Sequence, residues 1–149
     1  ASAAKRRVPV LVGEWGAFYN GEQHCRLPAL HQMKHMARLF SGHAYWAWRP
    51  GIESQDYFDV VFSRPYPQHV NGELISYTCP SDAEPFVCEW IEGESSVCTR
   101  IYLPDVALVE GKIHLEPESD FRVVSIAGNT RAGYLEVAPC GQERRLYID

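Results

Sequence analysis

The sequence predicts a chain of two parts, an α/β segment with parallel strands at residues 1–63 and an antiparallel β-sandwich at residues 64–149. The first part holds a short apolar run, a helix-like pattern and an aromatic run, which is the order of a βαβ unit. The second part holds short apolar or alternating runs separated by Pro, Gly, Asn and Asp, a pattern typical of a sandwich. The 46% hydrophobic content suits one compact domain or two small ones.

Three elements are predicted in the first part. Residues 8–13 form a continuous apolar run, expected of a strand buried on both faces in a parallel sheet covered by helices. Residues 43–48 form an aromatic-rich run of strand type, closed by Arg49, Pro50 and Gly51. A helix is predicted between them from apolar residues at spacings of three and four: Leu27, Leu30, Met33, Met36, Ala37 and Phe40.

A single βαβ unit cannot cover the edges and faces of its own parallel strands. Residues 1–63 are therefore expected to belong to something larger. The chain would be a fragment or processed product of a longer protein, or a partner chain would complete the sheet.

The second part is predicted to begin at the proline-rich link Arg64-Pro65-Tyr66-Pro67, whose rings are expected to exclude regular strand pairing. No helical periodicity interrupts the runs that follow. The predicted strands are residues 73–79, 86–90, 97–103, 106–109, 112–115, 121–127 and 134–138.

Composition narrows the partners. With 14 basic and 19 acidic residues the net charge is -5, so a nucleic-acid partner is not expected. No apolar stretch reaches the roughly 18 residues of a membrane span, and the basic start lacks the apolar core of a signal peptide. The five cysteines fit no CxxC metal pattern and leave disulfide pairing in the second half open; they are Cys25, Cys79, Cys88, Cys98 and Cys140.

Glu14 is the leading candidate for chemistry, because it follows a predicted buried strand at its carboxyl end, where α/β sheets place active residues. The alternative is a solvated loop glutamate. Trp46 and Trp48 lie two apart on the second predicted strand, so both can face one way and stack on a sugar ring. Core packing is the alternative for these two indoles.

Two other patterns are interpreted as structural. His31 and His35 stand four apart, but the segment lacks the glutamate of an HExxH zinc site, so a solvated helix face is expected. Cys25 follows His24 directly, and adjacent side chains rarely meet in the geometry of a thiol nucleophile. Neither a metal nor a cofactor is expected.

Two stretches resemble glycoside hydrolase family 5. Residues 10–16, the predicted helix and residues 45–50 resemble the seventh strand, seventh helix and eighth strand of that family's (β/α)8 TIM barrel. Residues 59–72 resemble the junction between barrel and β-sandwich in the endoglycoceramidases. The resemblance covers residues 8–72 and implies the C-terminal portion of a TIM barrel at residues 1–63, followed by an antiparallel β-sandwich.

The resemblance implies a retaining glycosidase in which Glu14 is the nucleophile and Trp46, with Trp48 as second choice, lies beneath the sugar. Trp15 is a further substrate-binding candidate. The acid/base glutamate has no counterpart in the 13 residues before Glu14, so it is expected from a missing segment or a second chain. The chain alone is expected to be inactive.

The implied substrate is a glycosphingolipid, cut at its sugar–ceramide linkage, with membrane contact only through that lipid. Trp15, Phe18, Tyr19 and the 49–58 loop would border its apolar half. A polysaccharide or a sterol glucoside is the alternative substrate. A secreted, extracellular or periplasmic location is expected, and a cytoplasmic one stays open.

A different class of function is a carbohydrate- or lipid-binding sandwich. Its candidate contact residues are Trp90, Tyr102 and Tyr134. A sandwich that only stabilises its neighbour and buries its own aromatic residues is the structural alternative.

Overall fold

The structure is a computed structural model that describes residues 8–16, 18, 24–81 and 84–149. The chain divides into two compact units, residues 1–61 and residues 62–149. Each unit has its own buried residues and is described separately.

The first unit is a strand–helix–strand unit. Strand β1 spans Leu11–Gly16, helix α1 spans Arg26–Arg38 and strand β2 spans Gly42–Trp46. The two strands pair in parallel, as the order of the runs in the sequence predicts. A 3₁₀ turn at Ile52–Ser54 and a short helix α2 at Phe58–Val61 follow.

Helix α1 buries one face and is held at its first turn by a distant loop. Ala29, Met33, Met36 and Ala37 are its buried residues, at helical spacing. The carboxylate of Asp56 accepts the backbone N–H of Arg26 at 3.3 Å, and the Arg26 guanidinium forms an ion pair with Asp59. The segment that ends in α2 thereby satisfies a helix N–H that has no partner within the helix.

The predicted fold class is wrong. Within the described ranges the chain is mostly β structure in two antiparallel sheets, with two α-helices, and it contains no TIM barrel. Strand β1 is also not buried on both faces, since Leu11 is 73% exposed. The physical reason is that a two-stranded sheet with one crossover helix has too few neighbours to cover both of its faces.

The second unit is a sandwich of two four-stranded antiparallel sheets. One sheet has the strand order β4–β5–β10–β7 and the other β3–β6–β9–β8. The strands are β3 Tyr66–His69, β4 Gly72–Tyr77, β5 Phe86–Glu92, β6 Thr99–Leu103, β7 Ile113–Glu116, β8 Phe121–Ser125, β9 Gly133–Val137 and β10 Glu143–Ile148.

The sandwich core lies between the inward faces of the two sheets. Alternate residues of each central strand point into it, as the period-two pattern requires. Its largest fully buried side chain is Trp90 on β5. The core residues are Phe86, Cys88, Trp90, Ile101, Leu103, Val109, Leu115, Leu135, Val137, Leu146 and Ile148.

Three predictions about strands are corrected. The proline-rich link does form a strand, β3, in which Pro67 pairs with Ile101. Proline is accepted there because β3 is an edge strand, which needs ladder bonds on one side only. The predicted strand at residues 106–109 is a turn, and the unpredicted strand β10 closes the chain.

None of the five cysteines, all within the described ranges, forms a disulfide. Burial raises the pKa of the Cys88 thiol to about 12, so this side chain is an inert part of the sandwich core.

Neither helix of the described ranges has the length and apolar character that a membrane crossing needs.

Candidate functional site

Glu14 lies in an irregularity of the parallel pair β1–β2. Val12 is paired with His43 and Trp15 with Tyr45, so three steps along β1 correspond to two along β2. Gly13 and Glu14 therefore lie opposite Ala44 alone, which is the geometry of a β-bulge. Bulges are frequent next to active sites, where the extra residue changes the direction of a side chain.

Trp15 is fixed on one face of this small sheet. Its indole Nε1 donates a hydrogen bond to Nδ1 of His43 at 3.1 Å. Its ring meets the rings of His43 and Tyr45 edge to face, at centroid distances of 5.4 and 5.3 Å. His43 and Tyr45 are two apart on β2 and share that face.

The opposite face carries Glu14 and Trp46. Glu14 precedes Trp15 and Trp46 follows Tyr45, so strand alternation places both side chains away from the Trp15 face. Gly16 is the pairing partner of Trp46, and the strand spacings put the α carbons of Glu14 and Trp46 roughly 8 Å apart. The candidate nucleophile and the candidate stacking indole therefore share one face.

Both side chains on this face are accessible. Glu14 is exposed and makes no hydrogen bond or ion pair to any residue the structure describes. The Trp46 side chain is 56% exposed, and the peptide bond that follows it, Trp46–Ala47, is cis. An accessible carboxylate beside an accessible indole is an arrangement that can receive a sugar ring.

Gly16 allows the two strands to close tightly after the bulge. Its φ is 112°, and a Cβ atom built there would lie 2.6 Å from the Tyr45 ring. Only glycine fits both the backbone angle and this contact. The absence of a side chain at Gly16 thus leaves room for the Tyr45 ring, which contacts Trp15.

An aromatic cluster lies on the Trp15 side. The rings of Phe18 and Tyr57 are 5.0 Å apart, and both lie near Tyr45. The hydroxyl of Tyr45 donates to that of Tyr57 at 3.0 Å. Burial, with this hydrogen bond, raises the pKa of Tyr45 well above its usual range, so the phenol stays neutral and serves packing rather than proton transfer.

A small cavity of about 50 Å³ adjoins this cluster, lined by Phe18, Tyr57 and residues from the 47–55 segment. Trp48 lies in the same segment and is 64% exposed. Its ring meets the Phe58 ring edge to face, with the two ring centroids 6.3 Å apart. Within the 49–58 loop itself Ile52 and Tyr57 are buried, so the large exposed apolar side chain of this region is Trp48. The role of the loop at the border of a lipid-binding half stays a prediction.

The structure brings some predicted site residues together and separates others. Glu14 and Trp46 share a face, whereas Trp15 lies on the opposite one and contacts His43 instead. Tyr19 lies outside the described residues. The catalytic and substrate-binding roles of Glu14, Trp46, Trp48 and Trp15 stay predictions.

Sequence reasoning missed the roles of His43 and Tyr45, whose rings contact Trp15. The available signal was the alternation of His43 and Tyr45 on a strand, which places two ring systems on one face. In the sandwich, Trp90 is fully buried in the core and cannot contact a ligand at the surface, while Tyr102 and Tyr134 lie partly exposed.

Metal-binding geometry is not found in the described part of the chain, where no three His, Cys, Asp or Glu side chains cluster. His31 and His35 are exposed on α1.

No family model matches the chain, and a search of curated proteins found no match.

Proposed function

We propose that this chain is part of a retaining β-glycosidase that hydrolyses the sugar–ceramide linkage of glycosphingolipids, with Glu14 as the nucleophile. The observation that carries the proposal is the exposed Glu14 carboxylate in the β1 bulge, on the same face as the exposed Trp46 indole. A retaining enzyme needs a nucleophilic carboxylate that is accessible to an anomeric carbon.

In the first step a carboxylate oxygen of Glu14 attacks the anomeric carbon, and the bond from that carbon to the ceramide oxygen breaks. A carboxylic acid protonates the departing oxygen, so ceramide leaves as an alcohol. Trp46 would lie against the sugar, where its electron-rich ring favours the positive charge that develops.

In the second step water attacks the anomeric carbon of the glycosyl–Glu14 ester. The former acid, now a carboxylate, takes the proton of that water, and Glu14 leaves as a free carboxylate. The free sugar keeps the configuration of the substrate.

The acid/base carboxyl would come from the remainder of the same enzyme, either another segment of the polypeptide or a second chain. Several large apolar side chains in the first unit are exposed, which supports a further protein surface against it. They are Leu11, Leu27 and Leu39.

The apolar surface after β2 supports the proposal that the substrate carries a lipid. On this surface Trp48 contacts Phe58, and a small cavity is lined by Phe18 and Tyr57. A glycolipid has a polar and an apolar half and requires both kinds of surface. Hydrolysis rates on a panel of glycosphingolipid, sterol glucoside and β-glucan distinguish this substrate from the alternatives. The β-glucan has no lipid to bind, and the sterol glucoside carries a sterol where the glycosphingolipid carries ceramide.

The test is Glu14→Gln in the intact polypeptide that contains this chain. Glutamine keeps the shape of the side chain but cannot form the glycosyl ester, so kcat should fall by about a thousandfold or more while substrate still binds. Glu118→Gln, an exposed glutamate of the sandwich, is the matched control. Hydrolysis at the wild-type rate by Glu14→Gln would refute the proposal.

A further inference from the structure

The outer face of the sheet β3–β6–β9–β8 carries two cross-strand rows of unlike character. The aromatic row pairs Tyr66 with Tyr102 and Tyr102 with Tyr134. The charged row crosses all four strands and consists of His69, Arg100, Glu136 and Arg122. Because the rows are two or three residues apart along each strand, they lie roughly 7 to 10 Å from one another on the same face.

The charged row holds one carboxylate between two guanidinium groups. Glu136 is only 6% exposed; its Oε1 accepts from Arg100 Nε at 3.1 Å and its Oε2 from Arg122 Nε at 2.8 Å. These hydrogen bonds lower the pKa of Glu136, so the carboxylate is ionised near neutral pH. Two positive charges against one negative charge leave a surplus of one.

A groove of about 370 Å³ opens over this row, lined by His69, Val97, Cys98, Arg100, Arg122 and Glu136. The Arg122 side chain is 74% exposed. Only the Nε and Nη2 donors of the two arginines contact Glu136, so each Nη1 points elsewhere. In a chain of net charge -5 this groove is a local positive site, and its Nη1 donors bond none of the residues that the structure describes.

The aromatic row adjoins the groove through Arg100. The Arg100 guanidinium lies 5.1 Å from the centroid of the Tyr134 ring, and the Gln68 amide donates to the Tyr134 hydroxyl at 3.4 Å. The rings of Tyr66 and Tyr102 are 4.9 Å apart. These partly exposed rings offer flat apolar surface with polar groups at the rim, which suits the C–H faces and hydroxyls of a sugar.

We propose that this face is a second, non-catalytic site that binds an acidic sugar, with the sugar's carboxylate or sulfate in the Arg100–Arg122 groove and a neighbouring sugar ring against the tyrosine row. The groove has the volume of a small-ligand site. A single surplus charge suits one anionic group, whereas a polyanion such as nucleic acid needs many basic contacts. This site does not depend on the role of Glu14.

Isothermal titration of the full chain with sialyllactose and with lactose tests the proposal, because the two ligands differ by one carboxylated sugar. Sialyllactose should bind about tenfold more tightly than lactose, the effect of one charge-assisted contact. That preference should shrink as NaCl is raised, since salt screens exposed charges.

Variants locate the site. Arg122→Gln should abolish the preference for sialyllactose, and Tyr66→Leu should weaken binding of both ligands. Arg145→Gln is the matched control, because Arg145 is a half-exposed arginine on the other sheet that also pairs with a glutamate and covers a tyrosine, Tyr147, at 4.8 Å. It should keep the preference.

Equal affinity for the two sugars, or binding of inorganic sulfate without sialyllactose, would overturn the proposal. So would an Arg122→Gln variant that keeps the preference. Arg100→Gln provides a second measurement at the same groove if Arg122→Gln does not fold.

Discussion

The indole Nε1 of Trp15 donates a hydrogen bond to Nδ1 of His43 at 3.1 Å. This bond joins the two parallel strands on the face opposite Glu14 and fixes the direction in which Trp15 points. Since neighbouring strand residues alternate, it also fixes the face on which Glu14 is presented. His43 is therefore a positioning residue in the proposed site.

His43→Phe should keep the ring contact with Trp15 and remove its hydrogen-bond acceptor. A half-buried indole N–H without a partner costs about 1 kcal/mol, so we expect that loss in the free energy of unfolding. If the intact protein is the proposed glycosidase, kcat/KM should fall by up to tenfold. Urea unfolding and steady-state kinetics measure the two effects. His31→Phe, on the exposed face of α1, is the control. Equal values for both variants would rule out the positioning role.

A buried ion pair links the neighbouring strands β5 and β10 at the end of β5. The side chains of Arg144 and Glu92 are 0% and 1% exposed, with Arg144 Nη1 3.6 Å from Glu92 Oε1. Glu92 Oε2 also accepts the backbone N–H groups of Cys140 and Gly141 at 2.5 and 2.6 Å. Glu92→Gln should lower the free energy of unfolding by about 3 kcal/mol, because it leaves the Arg144 charge buried and unpaired.

The control for this change is Glu89→Gln on the same strand. Glu89 pairs with Arg145 at 3.0 Å near the surface, where solvent weakens an ion pair to about 1 kcal/mol or less. Urea denaturation of both variants gives the comparison. Similar losses in the two variants would contradict the account of the buried pair.

Protonation of Glu136 is expected to lower the free energy of unfolding at acidic pH. Arg122 and Arg100 hold its pKa below the ordinary value, so its folded-state pKa lies below its unfolded one. Its contribution to stability is therefore fully present above the unfolded pKa of about 4.3 and is lost as pH falls through the folded pKa.

The measurement is the urea midpoint followed from about pH 6 down to about pH 2.5, a range that starts above the unfolded pKa and runs well below it. The wild type should lose stability across it more steeply than Glu136→Gln, which has no carboxyl to protonate. Glu118→Gln, an exposed glutamate, should follow the wild type. Parallel curves for wild type and Glu136→Gln would refute the linkage.

How far the fold could be predicted depended on how regular each local pattern is. Helix α1 follows from apolar spacing at Met33, Met36 and Ala37, and most sandwich strands follow from alternation and turn residues. Strand β10 was not predicted because Arg144 occupies an inward position and breaks the apolar alternation of the strand. Strand β3 was not predicted because Pro67 was taken to exclude a strand, whereas proline excludes only a central strand and is accepted on an edge strand.

The barrel prediction failed for a different reason. One βαβ unit specifies the hydrogen bonds of two strands and the handedness of one crossover, and many sheets contain such a unit. The motif around Glu14 resembles part of a barrel. A local pattern of two strands and one helix does not specify how many further strands the sheet has.

For the candidate site, the sequence located Glu14 and Trp46 but not their relation. Their shared face depends on the bulge between Val12 and Trp15, which is a property of strand register. Register between parallel strands joined by a helix is set by packing across the crossover, and no local turn specifies it.

Covalent labelling of the intact polypeptide that contains this chain tests the proposed role of Glu14 most directly. A 2-deoxy-2-fluoro-β-glycoside with a good leaving group glycosylates the nucleophile, and the fluorine slows hydrolysis of the resulting ester by disfavouring its oxocarbenium-like transition state. Peptide mass spectrometry should then find one sugar on the peptide that contains Glu14, and none in Glu14→Gln. A sugar on another carboxylate, with Glu14 unmodified, would contradict the account.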